Sequence, residues 1–296
     1  AAVGTAGPIM NMAILFISGM CMGAGILMST LYGAKDMKNL EKQISTTLIG
    51  GLVFSLLIAF LMIVFAVPIL RLINSPEEII GSAAIYLRVV FLGLIFTFVY
   101  NFLANTLRAL GDSRTPLYFL VISAFLNVAG DLLFVVTLKL GVMGSAVATV
   151  LSEALCCVCC GIYVKLKVPV LCLGKKWRVF ERRVLWKTFS YGITSALQQM
   201  CVQLGKILVQ AIINVQGVAF IAAFTAINRV DDFVLSPEGN IAHATTTFIA
   251  QNRGAGDVER VKKGYRCGII MELIFSVAVS VIVFFAAAPL MKMFVA

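Results

Sequence analysis

Long apolar runs alternate with short polar connections along this chain, and that alternation leaves few folds open. Eight runs can be marked, over 8–32, 46–72, 82–107, 116–137, 143–164, 188–213, 218–250 and 267–294. Each reaches or exceeds the roughly 20 residues that a helix needs to cross hydrocarbon. Lipid offers the backbone no hydrogen bonds, so only helices and closed barrels span it. Barrel strands alternate apolar and polar residues with period two, whereas these runs are uniformly apolar. The chain is therefore read as all-α and polytopic in a membrane. Its composition, 60% hydrophobic and 13% charged, stands well away from the roughly 45–50% and 25% usual in soluble domains.

A net charge of +10 could point to nucleic acid, but its placement does not. Of the 24 Lys and Arg, 18 fall in the connections 33–45, 108–115, 165–187 and 251–266, which alternate along the chain. The opposite connections, 73–82, 138–142 and 214–217, hold only Lys139. Basic residues mark cytoplasmic loops, so the charge reports orientation in a cytoplasmic membrane, and no nucleic-acid partner is expected. The stretch 165–187, rich in Lys and Arg and broken by Pro169 and Gly174, reads as a cytoplasmic connection with an interfacial amphipathic piece. Cys156, Cys157, Cys159 and Cys160 lie inside an apolar run, where Cys acts as a small hydrophobe. With His243 the one histidine, a zinc site is not expected.

An internal repeat organises the chain. Residues 1–75 align on 222–296 without a gap at a constant offset of 221. Gly33-Ala34-Lys35-Asp36 falls on Gly254-Ala255-Gly256-Asp257, Lys42 on Lys263, and Leu52, Phe54 and Ser55 on Leu273, Phe275 and Ser276. Pro68 falls on Pro289 and Arg71 on Lys292. Both copies leave the membrane at the basic loop and re-enter toward the proline. A same-orientation repeat implies two bundles related by an axis along the membrane normal, with a site between them, and about twelve spans in two six-helix lobes. On that plan about eight helices are present. Residues 1–164 form the N-terminal lobe without its first helix, 165–187 the connection, and 188–296 a C-terminal lobe without its last three.

Local signals fill in the spans. Gly19 with Gly23, and Gly144 with Ala148, have the spacing that lets membrane helices approach closely. Ser75, Pro76 and Glu78 form a cap ahead of the third span, and Thr115 with Pro116 starts the fourth in the same manner.

Inside 116–137 sit Asn127 and Asp131, four residues apart and so on one helical face. An ionisable group within a span is costly and normally faces a bundle interior, a partner or a water-filled path. Amide oxygen beside carboxylate suits a small hard cation, or a proton with its hydrogen-bond partner. The alternative is an Asp tied to a hydroxyl for packing specificity. The seventh span, 218–250, is unusually polar, with Asn228, Arg229, Asp231, Asp232 and Glu238, and Pro237 expected to kink it. With Gln198 and Gln199 of the preceding span, Asn228, Arg229 and Asp231 are candidates to line a substrate cavity. Equally, Arg229 and Asp232 can be a buried pair that fixes helix register. Glu153, Glu272 and Lys206 read as structural, the last snorkelling outward.

Several stretches together resemble the multidrug and toxic compound extrusion (MATE) family. They are NTLRALGDSRTPLYFLVISAFLNVAGDLLFV, LGVMGSAVATVLSE, the YGAKD loop, and INRVDDFVLSP leading into TTFIAQNRGAGDVERVKKG. The resemblance covers essentially the whole chain and places Ala1 near the start of the family's second helix. It implies a bacterial-type exporter with two six-helix lobes and alternating access, coupled to H⁺ or Na⁺ and otherwise free of cofactors. It also implies that Asn127, Asp131 and Thr149 form the cation-coupling site, completed by an Asp on the first helix. Some branches couple through a Glu on the family's seventh helix, which corresponds here to the run 188–213 and carries Gln198 and Gln199. The expected substrates are amphipathic, often cationic, small molecules, and a monomer is expected. Related exporter folds move lipids or lipid-linked sugars, which is the alternative. A membrane enzyme would need a convergent constellation of catalytic groups, and none is legible.

Overall fold

The computed structural model describes residues 2–72, 77–168, 179–214 and 218–295, and all the regular structure among them is helical. The helices are α1 (Ala2–Gly33), α2 (Met37–Val64), α3 (Ala66–Leu72), α4 (Glu77–Ala109) and α5 (Arg114–Asp131). A π-helical turn, Leu132–Thr137, follows, then α6 (Gly141–Lys167), α7 (Arg182–Asn214), α8 (Val218–Gly254) and α9 (Val258–Val295). Among the described residues six segments are long and apolar enough to cross a membrane: α1, α2, α4, α5 with its π turn, α6 and α9. At 33 and 37 residues α7 and α8 have the length; their polar residues set them apart from the rest.

The chain divides into two compact units. One comprises Ala1–Met28 and Asp36–Gln199, the other Ser29–Lys35 and Met200–Ala296.

In the first unit α4 is the central helix. It packs on α2, α3 and α6, and α5 packs on α6. Leu87, Phe91, Phe102 and Leu107 of α4 are almost wholly buried. The Gly19–Gly23 stripe of α1 meets a matching small stripe on α7. A Cβ at Gly19 would stand 2.5 Å from the Cα of Ala196, and one at Gly23 would collide with the backbone of Gly192. Backbones this close gain dispersion contacts that larger residues would prevent.

Two boundaries differ from the sequence reading. The expected span 46–72 is two helices, with Phe65 between α2 and α3. Pro68 lacks the N–H that would reach the Val64 carbonyl, and its ring crowds that carbonyl, so the helix restarts. Thr115 does not cap the fourth span. Helix α5 begins at Arg114, and the Oδ1 of Asp112 accepts from the backbone N–H of Arg114 (3.1 Å) and of Thr115 (3.0 Å). The cap expected at Ser75 and Pro76 lies outside the described residues. Of the basic connection 165–187, residues 169–178 are likewise outside them. Its end is tied to α2: Lys42 pairs with Glu181 at 2.9 Å, and Ser45 donates to the Val179 carbonyl.

The repeat is visible bond by bond. In the first copy Ala34 N–H reaches Thr30 O, Lys35 N–H reaches Tyr32 O, and Asp36 Oδ1 caps Asn39 N–H. In the second, Ala255 reaches Gln251, Gly256 reaches Arg253, and Asp257 Oδ1 caps Arg260 N–H. Each partner is displaced by the same 221 residues. The left-handed residue ending each helix also corresponds, Lys35 at φ 56° and Gly256 at φ 76°. Within the second unit the two copies touch reciprocally: Gly33 lies against the Gln251 carbonyl, and Gly254 against the Thr30 carbonyl. A reciprocal contact of this kind is what a local two-fold relation produces.

Candidate cation and substrate sites

Asp131 is the last residue of α5, and the backbone widens into the π turn immediately after it. Such single turns recur at functional positions because they change the register of a helix face. Here the wider turn is closed by Leu138 N–H on Leu133 O and Thr137 Oγ1 on Leu132 O. Small residues let α6 approach: Gly144 lies against the Phe134 carbonyl, and a Cβ at Gly130 would sit 3.0 Å from that of Ala148.

That approach brings Thr149 to Asn127, whose Nδ2 donates to Thr149 Oγ1 at 3.2 Å. The hydroxyl in turn donates to the Ser145 carbonyl at 3.0 Å. Beside them, Asp131 Oδ1 is buried and has no hydrogen-bond partner among the described residues. A buried carboxylate oxygen without a donor is unfavourable until a proton or a cation reaches it. Of the sequence candidates, then, Asn127 and Thr149 are joined by a bond and Asp131 stands one turn from Asn127.

Two further groups belong to this neighbourhood. Tyr86, buried on α4, lies within electrostatic range of Asp131. Glu153, one turn beyond Thr149 on α6, accepts a short hydrogen bond from the buried hydroxyl of Thr97 on α4. That bond fits the structural role read for Glu153 from the sequence, and it lies one helical turn from Thr149 on α6. A Thr97-Asn101-Asn105 ladder at intervals of four residues was the available signal on α4.

The other candidates separate. Gln198 is exposed and Gln199 half-buried on α7, in the first unit. Asn228 and Asp231 are half-buried on α8, in the second. The side chains of Arg229 and Asp232 lie outside the described residues, and so does the expected pair between them. Lys206 does not snorkel outward. Its Nζ pairs with Asp231 Oδ2 at 3.0 Å, which joins α7 to α8 within the second unit. A cavity of about 750 Å³ opens between α8 and α9. Its walls are apolar apart from Asp231 and Glu238 on α8 and Ser276 and Ser280 on α9. Ser276 donates to Glu238 at 2.7 Å. Among the described residues no three His, Cys, Asp or Glu converge as a metal site.

An all-helical polytopic bundle with an internal repeat, a carboxylate inside one span and a cavity of apolar and acidic walls defines a membrane transporter class. Known proteins narrow it. The MatE family model matches residues 1–133 and 194–296. The chain is 30% identical to the "Probable multidrug resistance protein YoeA" of Bacillus subtilis, covering 99% of this chain and 65% of that protein. It is 27% identical to the "Probable multidrug resistance protein NorM" of Thermotoga maritima, covering 92% and 60%. A solved structure of MATE in the bent conformation superposes with a TM-score of 0.90 at 23% identity, over 99% of this chain and 66% of that one. An outward-facing multidrug resistance MATE family transporter gives 0.88 at 24%, over 98% and 65%. The chain belongs to the MatE family. It spans 65% or less of the length of these curated relatives.

Proposed function

We propose that this chain is the larger part of a cation-coupled antiporter that exports amphipathic, often cationic, small molecules across the bacterial cytoplasmic membrane. It acts as a transporter and not as an enzyme, with its basic loops on the cytoplasmic side. The observation that carries the reading is the unpartnered buried oxygen of Asp131 beside the Asn127–Thr149 bond.

With the site open to the outside, a proton or Na⁺ binds Asp131, supported by Asn127 and Thr149. The bound cation removes an uncompensated buried charge and so favours one conformation of the N-terminal lobe, residues 1–164. A ligand shifts such an equilibrium only by its differential affinity, and about 3 kcal/mol changes a ratio more than a hundredfold. Substrate affinity falls in the favoured state and the substrate leaves; loss of the cation to the cytoplasm resets the cycle. On the substrate side, a cationic substrate competes with the Lys206 ammonium for Asp231. Asn228, on the same helix as Asp231, supplies a further polar contact. The chain works as a monomer in the bilayer.

Export of a cationic dye from efflux-deficient cells, with the protein expressed from its complete reading frame, tests this. Wild type lowers dye accumulation, and Asp131→Asn at matched expression restores it to the level of empty cells. Unimpaired export by the variant removes Asp131 from the coupling role. Absence of dye export by wild type favours movement of lipid or lipid-linked sugar instead.

A further inference from the structure

A second cavity, of about 850 Å³, lies wholly within the first unit and takes no part in the scheme above. Its lining includes Arg182, Arg183 and Trp186, from the first turns of α7, and Phe54, Phe98 and Ser55. Its aromatic wall is continuous. Trp186 stacks on Phe189 with centroids 6.1 Å apart, and Phe189 meets Phe54 edge-on at 6.5 Å.

Three features describe what this space would accept. Both arginines are exposed, and among the described residues no carboxylate pairs with either; the neighbouring Glu181 is paired with Lys42. They stand at the start of a 33-residue helix, where the unsatisfied N–H groups add positive potential. Second, Ser55 is fully buried, faces the cavity, and its Oγ has no partner among the described residues. The repeat explains the vacancy. Its counterpart Ser276 bonds Glu238, but the position equivalent to Glu238 is Ile17, which offers no acceptor. Third, apart from Thr47 and Thr188, whose hydroxyls accept from Gln43, the rest of the lining is apolar, and it adjoins the end of the basic connection 165–187, where membrane proteins favour tryptophan.

We propose that this cavity holds an anionic phospholipid of the cytoplasmic leaflet, bound and not transported. Its phosphate lies on Arg182 and Arg183, and its apolar chain lies along the aromatic wall. A cationic substrate is repelled by the arginines, and a soluble anion would leave the apolar interior unfilled.

Trp186 reports on the site directly. Residues 1–296 hold two tryptophans, Trp177 and Trp186, so Trp177→Phe, with any tryptophan outside these residues likewise replaced by Phe, leaves one fluorophore. The protein is reconstituted with phospholipids brominated in the acyl chain, which quench on contact. Brominated phosphatidylglycerol is expected to half-quench Trp186 at a mole fraction on the order of tenfold lower than brominated phosphatidylcholine, since each surface Arg contributes severalfold toward an anionic lipid. Arg182→Gln with Arg183→Gln should abolish that preference, while Lys165→Gln with Lys167→Gln, outside the cavity lining, should retain it. Equal quenching by the two lipids, or a preference that survives loss of both arginines, overturns the proposal. So does release of the quenching lipid by millimolar inorganic phosphate, which would mark a site for a soluble anion.

Discussion

Asp131 and Glu153 are both carboxylates inside spans, and their partners separate their roles. Glu153 has the Thr97 hydroxyl; Asp131 Oδ1 has no donor among the described residues. Thr97→Val should therefore lower stability by about 1–3 kcal/mol, because it strands a buried acceptor. Glu153→Gln in the same background should recover part of the loss, and a thermal-unfolding double-mutant cycle measures both. At the membrane surface, Asp36 is held below the usual carboxylate range by the Asn39 side chain and then by its backbone N–H. A depressed carboxylate stabilises fully above its unfolded value and loses that contribution as pH falls through its folded value. Asp36 should thus remain ionised through mild acid, as a carboxylate NMR titration would check. Asp131 and Asn127 were legible from sequence because charge in an apolar run is conspicuous. Lys206 was misplaced, because a single helix does not disclose which neighbour it faces.

Helix–helix contact in this chain is set by small residues. Gly23→Leu should drive α1 off the backbone of α7 at Gly192 and lower the melting temperature or the folded yield, a cost of about 1–3 kcal/mol or more. Gly161→Leu on α6, with open space around it, should change stability by less than about 0.5 kcal/mol. At the other end of the repeat, Asp257→Ala removes the cap on Arg260 and should cost about 1 kcal/mol, with faster amide exchange in the first turn of α9. The Gly19–Gly23 and Gly144–Ala148 stripes could be read from spacing alone. The break at Phe65 was missed although Pro68 stood out in the repeat, because the apolar run continues across it. The π turn after Asp131 has no sequence signature, since it arises from how α5 meets α6 through Gly130, Phe134 and Gly144.

For the whole molecule, the repeat is the deepest regularity, and it was visible as a loop of four residues recurring 221 positions apart. The structure repeats three of its loop hydrogen bonds at that offset, and the two copies have diverged where chemistry differs. Ser276 with Glu238 lines a cavity that holds Asp231, and Ser55 with Ile17 lines one that holds Arg182 and Arg183. Substitutions in the acidic cavity should act on substrate range: Asp231→Asn with Glu238→Gln should weaken export of cationic dyes more than of neutral ones, measured as the ratio of transport rates. The measurement that reaches furthest is exchange in proteoliposomes, in which an imposed proton or Na⁺ gradient drives movement of a radiolabelled organic cation. Gradient-driven transport by wild type that is lost in Asp131→Asn, with equilibrium binding of the cation retained, is the predicted result. Gradient-driven transport that persists undiminished in Asp131→Asn would contradict coupling at this site.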